Sequence, residues 1–248
     1  MSGVPLRVVI AGSNGKMGRA LADAASGDKA LQLAAAFDLG DDAAQAIAAG
    51  DLLIDFTRPE ATRAHLAHCL RLGKSMVIGT TGFSDADRAL IRDAAAKIPI
   101  VLSPNFAVGV NAVFKLAETA ARILGDDYDV EIIEAHHRQK VDAPSGTAMK
   151  LGEIVSAALG RTLAQVARHG RQGDVGARPA REIGFHAVRG GDIVGEHTVV
   201  FAGTGERVEI TVRSQSRATY AFGALRAAKF LGGRRAGLYD MADVLGLK

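Results

Sequence analysis

The chain has a single cysteine, Cys69, in 248 residues, so internal disulfides and cysteine-built metal clusters are excluded. It has no tryptophan and only 5% aromatic residues, which leaves few stacking platforms for a nucleic acid. Charge of one sign is also scarce. Thirty Lys and Arg face 27 Asp and Glu, a formal net charge of +3, spread along the chain and densest between Arg161 and Arg181. That balance is too weak for DNA or RNA and suits small anionic ligands. No apolar run approaches the roughly 18 residues of a membrane span. Residues 1–16 lack the charged leader, long apolar stretch and cleavage site of a signal peptide. The expectation is a soluble cytoplasmic protein with no membrane and no nucleic-acid partner. Apolar residues, by contrast, are plentiful at 48%. At this length they suffice to bury roughly 70–75% of the unfolded surface.

In the first half, short apolar runs alternate with amphipathic stretches. Strands are expected at 7–11, 31–37, 52–56, 75–78 and 98–102, with helices at 18–25, after Pro59 and at 85–97. Thr57 is expected to cap the middle helix and Gly73 to end it. Buried strands separated by helical crossovers imply a parallel sheet covered on both faces, a Rossmann-like doubly wound α/β domain. The pattern changes after Phe106. Helices are expected at 110–124 and 150–159, and strands at 130–134, 181–188, 196–201 and 207–212 in an antiparallel or mixed sheet. A last helix covers 219–231. This order fits a first domain over 1–107, completed by 216–248, with an α+β domain inserted at 108–215.

The loop Gly12-Ser13-Asn14-Gly15-Lys16-Met17-Gly18 lies between the first strand and the first helix. Glycines let a backbone approach phosphates, and a helix start offers N–H groups and positive potential. Asn14 stands where a strict G-x-G-x-x-G motif has its second glycine, and Asn tolerates the left-handed turn better than most residues. Asp38, ending the second strand, is placed to accept from the adenosine ribose hydroxyls. Gly79-Thr80-Thr81 and Ser103-Pro104-Asn105-Phe106 follow the fourth and fifth strands. They fall on the carboxyl edge where such sheets bind ligands, offering backbone groups near a nicotinamide.

The most informative segment is Glu134-Ala-His136-His137-Arg-Gln-Lys140-Val-Asp-Ala-Pro144-Ser145-Gly146-Thr147-Ala148. If His136 and His137 extend the preceding strand, they point to opposite sides. Adjacent histidines rarely chelate one ion, and no third ligand pattern accompanies them, so no metal is expected. Ser145, Gly146 and Thr147 open a helix and offer N–H and hydroxyl groups to a carboxylate. Lys140 supplies a positive charge or a proton. Together these residues suit a small dicarboxylate that must be protonated.

With these motifs in order, the sequence resembles the 4-hydroxy-tetrahydrodipicolinate reductase family, formerly the dihydrodipicolinate reductases. The segment from Glu134 to Ala148 matches the family signature. Further matches are Val9-Ile-Ala-Gly12, Lys16-Met-Gly-Arg19, Ile54-Asp-Phe-Thr-Arg-Pro59, Val77-Ile-Gly-Thr-Thr-Gly82, Asn105 to Asn111 and Gly191 to His197, and they span nearly the whole chain. The resemblance implies reduction of a cyclic imine dicarboxylate by NADH or NADPH, with loss of water, in lysine and diaminopimelate biosynthesis. It implies His136 and Lys140 as the acid/base pair, with Lys140 donating the proton. His137, Ser145, Gly146 and Thr147 would bind substrate. Gly12 to Met17, Asp38, Gly79 to Thr81 and Ser103 to Phe106 would bind cofactor. A homotetramer built through the second domain is implied as well. One departure stands out: only about a dozen residues separate Asp38 from the strand at Leu52, and Leu39 stands where some members have arginine. Another two-domain dehydrogenase acting on amino or imino acids is the alternative enzyme. A non-catalytic NAD(H) sensor would share the glycine loop but would not need His136, Lys140 and Ser145 to Thr147.

Overall fold

The computed structural model describes residues 4–248. The chain forms two compact units: one runs to Val108 and resumes over Arg217–Lys248, and the other is Gly109–Ser216.

The first unit begins β1 (Leu6–Ala11), α1 (Lys16–Ser26), β2 (Leu31–Phe37), α2 (Ala43–Ala48), β3 (Leu52–Asp55) and α3 (Pro59–Leu72). It continues with β4 (Ser75–Ile78), α4 (Asp85–Ala95) and β5 (Pro99–Leu102). Side chains alternate across a strand, and here both faces of the sheet are apolar. Val8 and Ile10 of β1, Leu52 and Ile54 of β3, Val77 and Val101 join one buried cluster. Val9 and Ala11, Leu53, Met76, Ile78 and Ile100 join another. A run apolar on both faces needs helices above and below. Leu66, Cys69, Ile91, Ala94 and Ala95 of α3 and α4 cover the second cluster. Each fully buried Val, Leu or Ile contributes about 1.5–3 kcal/mol to such a layer.

The first cluster is closed by the chain's return, α8 (Ala218–Leu231), β11 (Gly237–Tyr239) and α9 (Met241–Leu245). Gly223 lets α8 lie against the backbone, since a Cβ there would stand 1.7 Å from the Phe106 carbonyl oxygen. The sheet is parallel throughout, with strand order β11-β5-β4-β3-β1-β2. After β2 the chain crosses back to the other side of β1. The carboxyl ends of β1 and β3 therefore flank the point where the winding reverses, the ligand crevice of open α/β sheets.

The second unit contains α5 (Val108–Leu124), a 3-10 turn (Gly125–Asp127), β6 (Asp129–His136), α6 (Gly146–Ala158), α7 (Leu163–Val166) and β7 (Ala167–His169). Three longer strands follow, β8 (Ile183–Arg189), β9 (Gly195–Ala202) and β10 (Arg207–Ser214). The sheet order is β10-β9-β6-β8-β7, with β6 parallel to β8 and antiparallel to β9. Its core face carries Val130, Ile132, Ile183, Phe185, Val199 and Phe201, packed on α5 and α6.

Three expectations are corrected. The residue before Pro59 in the N-cap position of α3 is Arg58, because Thr57 is drawn into a turn by Asp55, to which it gives both its N–H and its hydroxyl. Helix α6 starts at Gly146, ahead of the segment expected at 150–159 and in keeping with the helix start expected at Ser145 to Thr147, because Ser145 caps it by accepting from the Ala148 N–H. Strand β6 ends at His136, so His137 leaves the strand and the opposite-sides expectation does not apply to it.

Candidate active site

In the first unit the glycine loop is set by local geometry. Gly12 adopts φ +70°, and its N–H and that of Ser13 reach the Phe37 carbonyl at 2.9 and 3.1 Å. Gly15 is the N-cap of α1, with no side chain capping that helix start. A Cβ at Gly18 would lie 2.2 Å from the Gly12 carbonyl oxygen and 2.7 Å from the Ser13 Cα, so only glycine lets the helix sit so close beneath the loop. Lys16 is exposed and Met17 half-buried against the core. A close backbone approach at an uncapped helix start fits a pyrophosphate.

Asp38 is partly committed to this loop. Its Oδ2 accepts from the Asn14 N–H at 2.8 Å and its Oδ1 from the Leu39 N–H at 2.8 Å. Those two backbone bonds hold its carboxyl below the ordinary aspartate range. Each oxygen retains a second lone pair for a ribose hydroxyl. The connection to β3 is short and carries α2, capped by Asp42.

The loops after β4 and β5 offer less side chain than the sequence suggests. Thr80 is buried, bonded to the Thr62 hydroxyl at 2.9 Å. Ser103 is buried with its hydroxyl on the Asn105 carbonyl, and Phe106 packs edge-on to Phe56 in the core. The side chains of these three residues are turned inward, and α8 covers the Phe106 carbonyl as well. Gly79, Thr81 and Pro104 lie on the same edge, Thr81 and Pro104 exposed. A Cβ at Gly79 would strike the Phe56 ring at 2.1 Å.

Sequence reasoning missed Asp55, which is fully buried at the carboxyl end of β3. It accepts from the Thr57 N–H at 2.8 Å and the Thr57 hydroxyl at 2.6 Å, and pairs with His65 Nδ1 at 2.8 Å. The Thr57 Cγ2 then stands 2.9 Å from where Gly12 would carry a Cβ.

The second unit holds a buried polar cluster. Residues 134 and 136 share a face of β6 because the strand period is two. His136 Nδ1 lies 2.6 Å from Glu134 Oε2. Arg189, register partner of His136 across β6 and β8, grips both Glu134 oxygens at 2.7 Å each. The Ser145 N–H donates to Glu134 Oε1 at 3.1 Å, and the Ser145 hydroxyl bonds His197 Nε2 at 3.0 Å. The His136 and His197 rings meet edge to face at 5.1 Å.

Burial pushes Glu134 up, but the bonds from Arg189 and His136 outweigh it and hold the carboxyl below its ordinary value. Burial lowers His136 against the opposing pull of Glu134, and lowers His197 further, to about 4. Both imidazoles are therefore neutral at pH 7. Lys140 adds its positive charge near both of them and forms an ion pair with Asp142 at 2.9 Å.

His137 keeps a buried Nδ1 with no hydrogen-bond partner among the described residues. Gly146 is exposed, and a Cβ there would meet nothing within 4 Å. Its φ is not positive either. Neither packing nor backbone strain therefore asks for glycine at this helix start. Thr147 is half-buried in the same first turn. The structure thus ties His136 to Ser145 through Glu134 and keeps Lys140 electrostatically close. Glu134, Arg189 and His197 were not singled out beforehand. The signal for Glu134 was its spacing of two from His136 on a strand.

A glycine loop at the switch point of a parallel sheet, with a histidine and lysine segment on a separate mixed sheet, places the chain among the two-domain nicotinamide-dependent oxidoreductases. It belongs to the dihydrodipicolinate reductase family: the family described as dihydrodipicolinate reductase, N-terminus, matches residues 6–106, and that described as dihydrodipicolinate reductase, C-terminus, matches residues 109–245. The chain is 57% identical to the 4-hydroxy-tetrahydrodipicolinate reductase of Aromatoleum aromaticum, covering 99% of this chain and 97% of that one. It is 53% identical to the enzyme of that name from Dechloromonas aromatica, covering 98% of each. A dipicolinate-bound dihydrodipicolinate reductase from Paenisporosarcina sp. TG-14 has a similar fold, with a TM-score of 0.81 at 26% identity over 97% of this chain and 99% of that one.

Proposed function

We infer that the chain reduces 4-hydroxy-tetrahydrodipicolinate to tetrahydrodipicolinate, with loss of water, in lysine and diaminopimelate biosynthesis. The observation that carries this reading is the Glu134 to Ala148 segment, whose His136 and Ser145 share one buried carboxylate in a family of that activity. The solved relative from Paenisporosarcina holds dipicolinate, a planar ring dicarboxylate, which supports a cyclic dicarboxylate as substrate here.

The chain's own residues divide the work. Gly146, Thr147 and Ser145 at the start of α6 receive a carboxylate, favoured by the helix dipole. His137, with its orphaned Nδ1, adds a polar partner. Lys140 holds positive charge at the substrate nitrogen and donates the one proton the net reaction consumes, which departs with the leaving hydroxyl as water while hydride takes its place, and neutral His136 serves as the partner base. The Gly12 to Met17 loop, Asp38 and the backbone of the loops at 79–81 and 103–106 hold the dinucleotide. When bound, the nicotinamide supplies the hydride.

Asp38 favours NADH at least as much as NADPH, because a carboxylate accepts from a free 2′-hydroxyl and repels a 2′-phosphate. Leu39, fully exposed beside it, cannot offset that repulsion. The assembly proposed is a homotetramer formed through the second unit. The sheet face opposite its core carries Ile133 and Val188, 40% and 50% exposed. No helix of the described residues is long and apolar enough to cross a membrane, and the proposed location is the cytoplasm.

The deciding assay follows loss of NADH absorbance with freshly generated cyclic imine, against homoserine-type and aspartate-type substrates. Rapid turnover of the imine alone is expected. Turnover of an amino acid instead would transfer the chain to the alternative dehydrogenase reading.

A further inference from the structure

We propose that Glu134 is the positioning residue of this site: it fixes His136 as the Nδ1–H tautomer, with the Nε2 lone pair directed toward Gly195, and ties that ring to the start of α6. The proposal rests on the reading of His136 and Lys140 as the acid/base pair and deepens it.

Three observations carry it. First, Glu134 is buried with Arg189 gripping both oxygens, and an ionised carboxylate only accepts. The proton in its 2.6 Å bond with His136 therefore belongs to Nδ1, which leaves Nε2 as the acceptor. Second, Gly195 stands opposite that nitrogen. A Cβ there would lie 3.1 Å from Nε2 and 3.4 Å from the adjoining ring carbon. Glycine weakens a strand, and Gly195 opens β9 with no positive φ to require it. Its absent side chain leaves Nε2 uncovered. Third, the other oxygen of Glu134 accepts from the Ser145 N–H, the N-cap of the helix whose first turn receives the carboxylate. One buried anion thus sets both the direction of the base and the place of the anion cradle. Arg189 neutralises it, so the site does not repel a dicarboxylate. The charged groups acting on His136 are Glu134, Lys140 and Arg189, and the His197 ring packs against it.

The test begins with the wild-type protein, labelled with nitrogen-15 at histidine. Long-range proton–nitrogen NMR reads the tautomer of His136, assigned by comparison with His136→Gln, and the Nδ1–H form is expected. In Glu134→Gln the amide N–H faces Nδ1 and the ring turns to the Nε2–H form. Turnover should then fall about 10²-fold or more, as wrong-tautomer variants of other His–carboxylate enzymes do. Competitive inhibition by pyridine-2,6-dicarboxylate should change less than about threefold, because glutamine keeps an oxygen for Ser145. Gly195→Ala gives an independent arm: the tautomer stays, Nε2 is covered and turnover falls. A wild-type ring in the Nε2–H form, or full turnover in a folded Glu134→Gln or Gly195→Ala, would overturn the proposal. A wild-type protein with the Nδ1–H form but no turnover of the cyclic imine would sink the functional reading instead, so the two failures are separable.

Discussion

Burial lowers His136, held on Glu134, while Lys140 is paired with Asp142, so the two groups stand in different surroundings. Replacing either by alanine should lower turnover about 10²-fold or more. NADH binding should survive, since neither belongs to the glycine loop. Steady-state kinetics with a parallel NADH fluorescence titration decide this, and near wild-type turnover in both variants would remove them from the mechanism. The sign of the His136 shift predicts the pH profile. Burial lowers its value, so the ring protonates only below the ordinary histidine range near about 6.5. Activity that needs it neutral should hold as pH falls through that range. At the ribose end, Leu39→Arg should move the ratio of kcat/KM toward NADPH by placing a guanidinium beside Asp38. A wild-type preference of about tenfold or more for NADPH, about 1.4 kcal/mol, would reject the role given to Asp38. His136, Lys140 and Ser145 were legible because their types and spacing are local. Arg189 and His197 were not, because they reach Glu134 and Ser145 only once β8 and β9 pair with β6. Asp55 escaped notice for a similar reason: its burial depends on the layers above it.

Helix α1 and the loop before it form one piece of geometry. In Gly18→Ala the new Cβ meets backbone, which cannot swing aside as a side chain can. The loop must shift, and the affinity for NADH should drop about tenfold or more, with little change in binding of pyridine-2,6-dicarboxylate by the second unit. Isothermal titration of both ligands tests it, and unchanged NADH affinity would show the loop to be adaptable. The long elements were readable from sequence because each repeats its period several times. Strand β2 falls at the expected residues and the other longer elements differ mainly at their ends, while β3, β4 and β5, of four residues each, were legible as apolar runs rather than by period. Strands β7 and β11 and helices α2, α7 and α9 have three to six residues each. That is too short for a period to declare itself. Strand β11 exists because β5 offers it an edge, a fact of tertiary structure alone.

Two predictions belong to the whole molecule. Burial raises Glu131, but Arg171, Arg178 and His186 outweigh it and bring it down to about 2. A depressed carboxyl contributes stability that is complete above its unfolded value, about 4.3, and is lost as pH falls toward the folded one. The contribution is on the order of 2–3 kcal/mol. Urea midpoints measured from pH 7 to pH 2 should fall more steeply in the wild type than in Glu131→Gln, and parallel slopes would reject the assignment. Light scattering at micromolar concentration should find four copies, and a fully active monomer of about 26 kDa would refute the assembly. The interrupted first unit also has a consequence during synthesis. Strands β1 to β5 leave the ribosome before residue 109, yet Ala221, Ala224, Leu225, Ala228 and Leu231, which cover Val8, Ile10, Ile54 and Val101, are translated after residue 216. At about 5–20 residues per second the intervening stretch takes roughly 5–20 s to make. For that interval one face of the nascent sheet is bare and β5 lacks its outer neighbour, while the contiguous second unit is free to fold. A chain stalled before α8 would therefore be a client for chaperones, and the last thirty-odd residues act as the cover that ends its exposure.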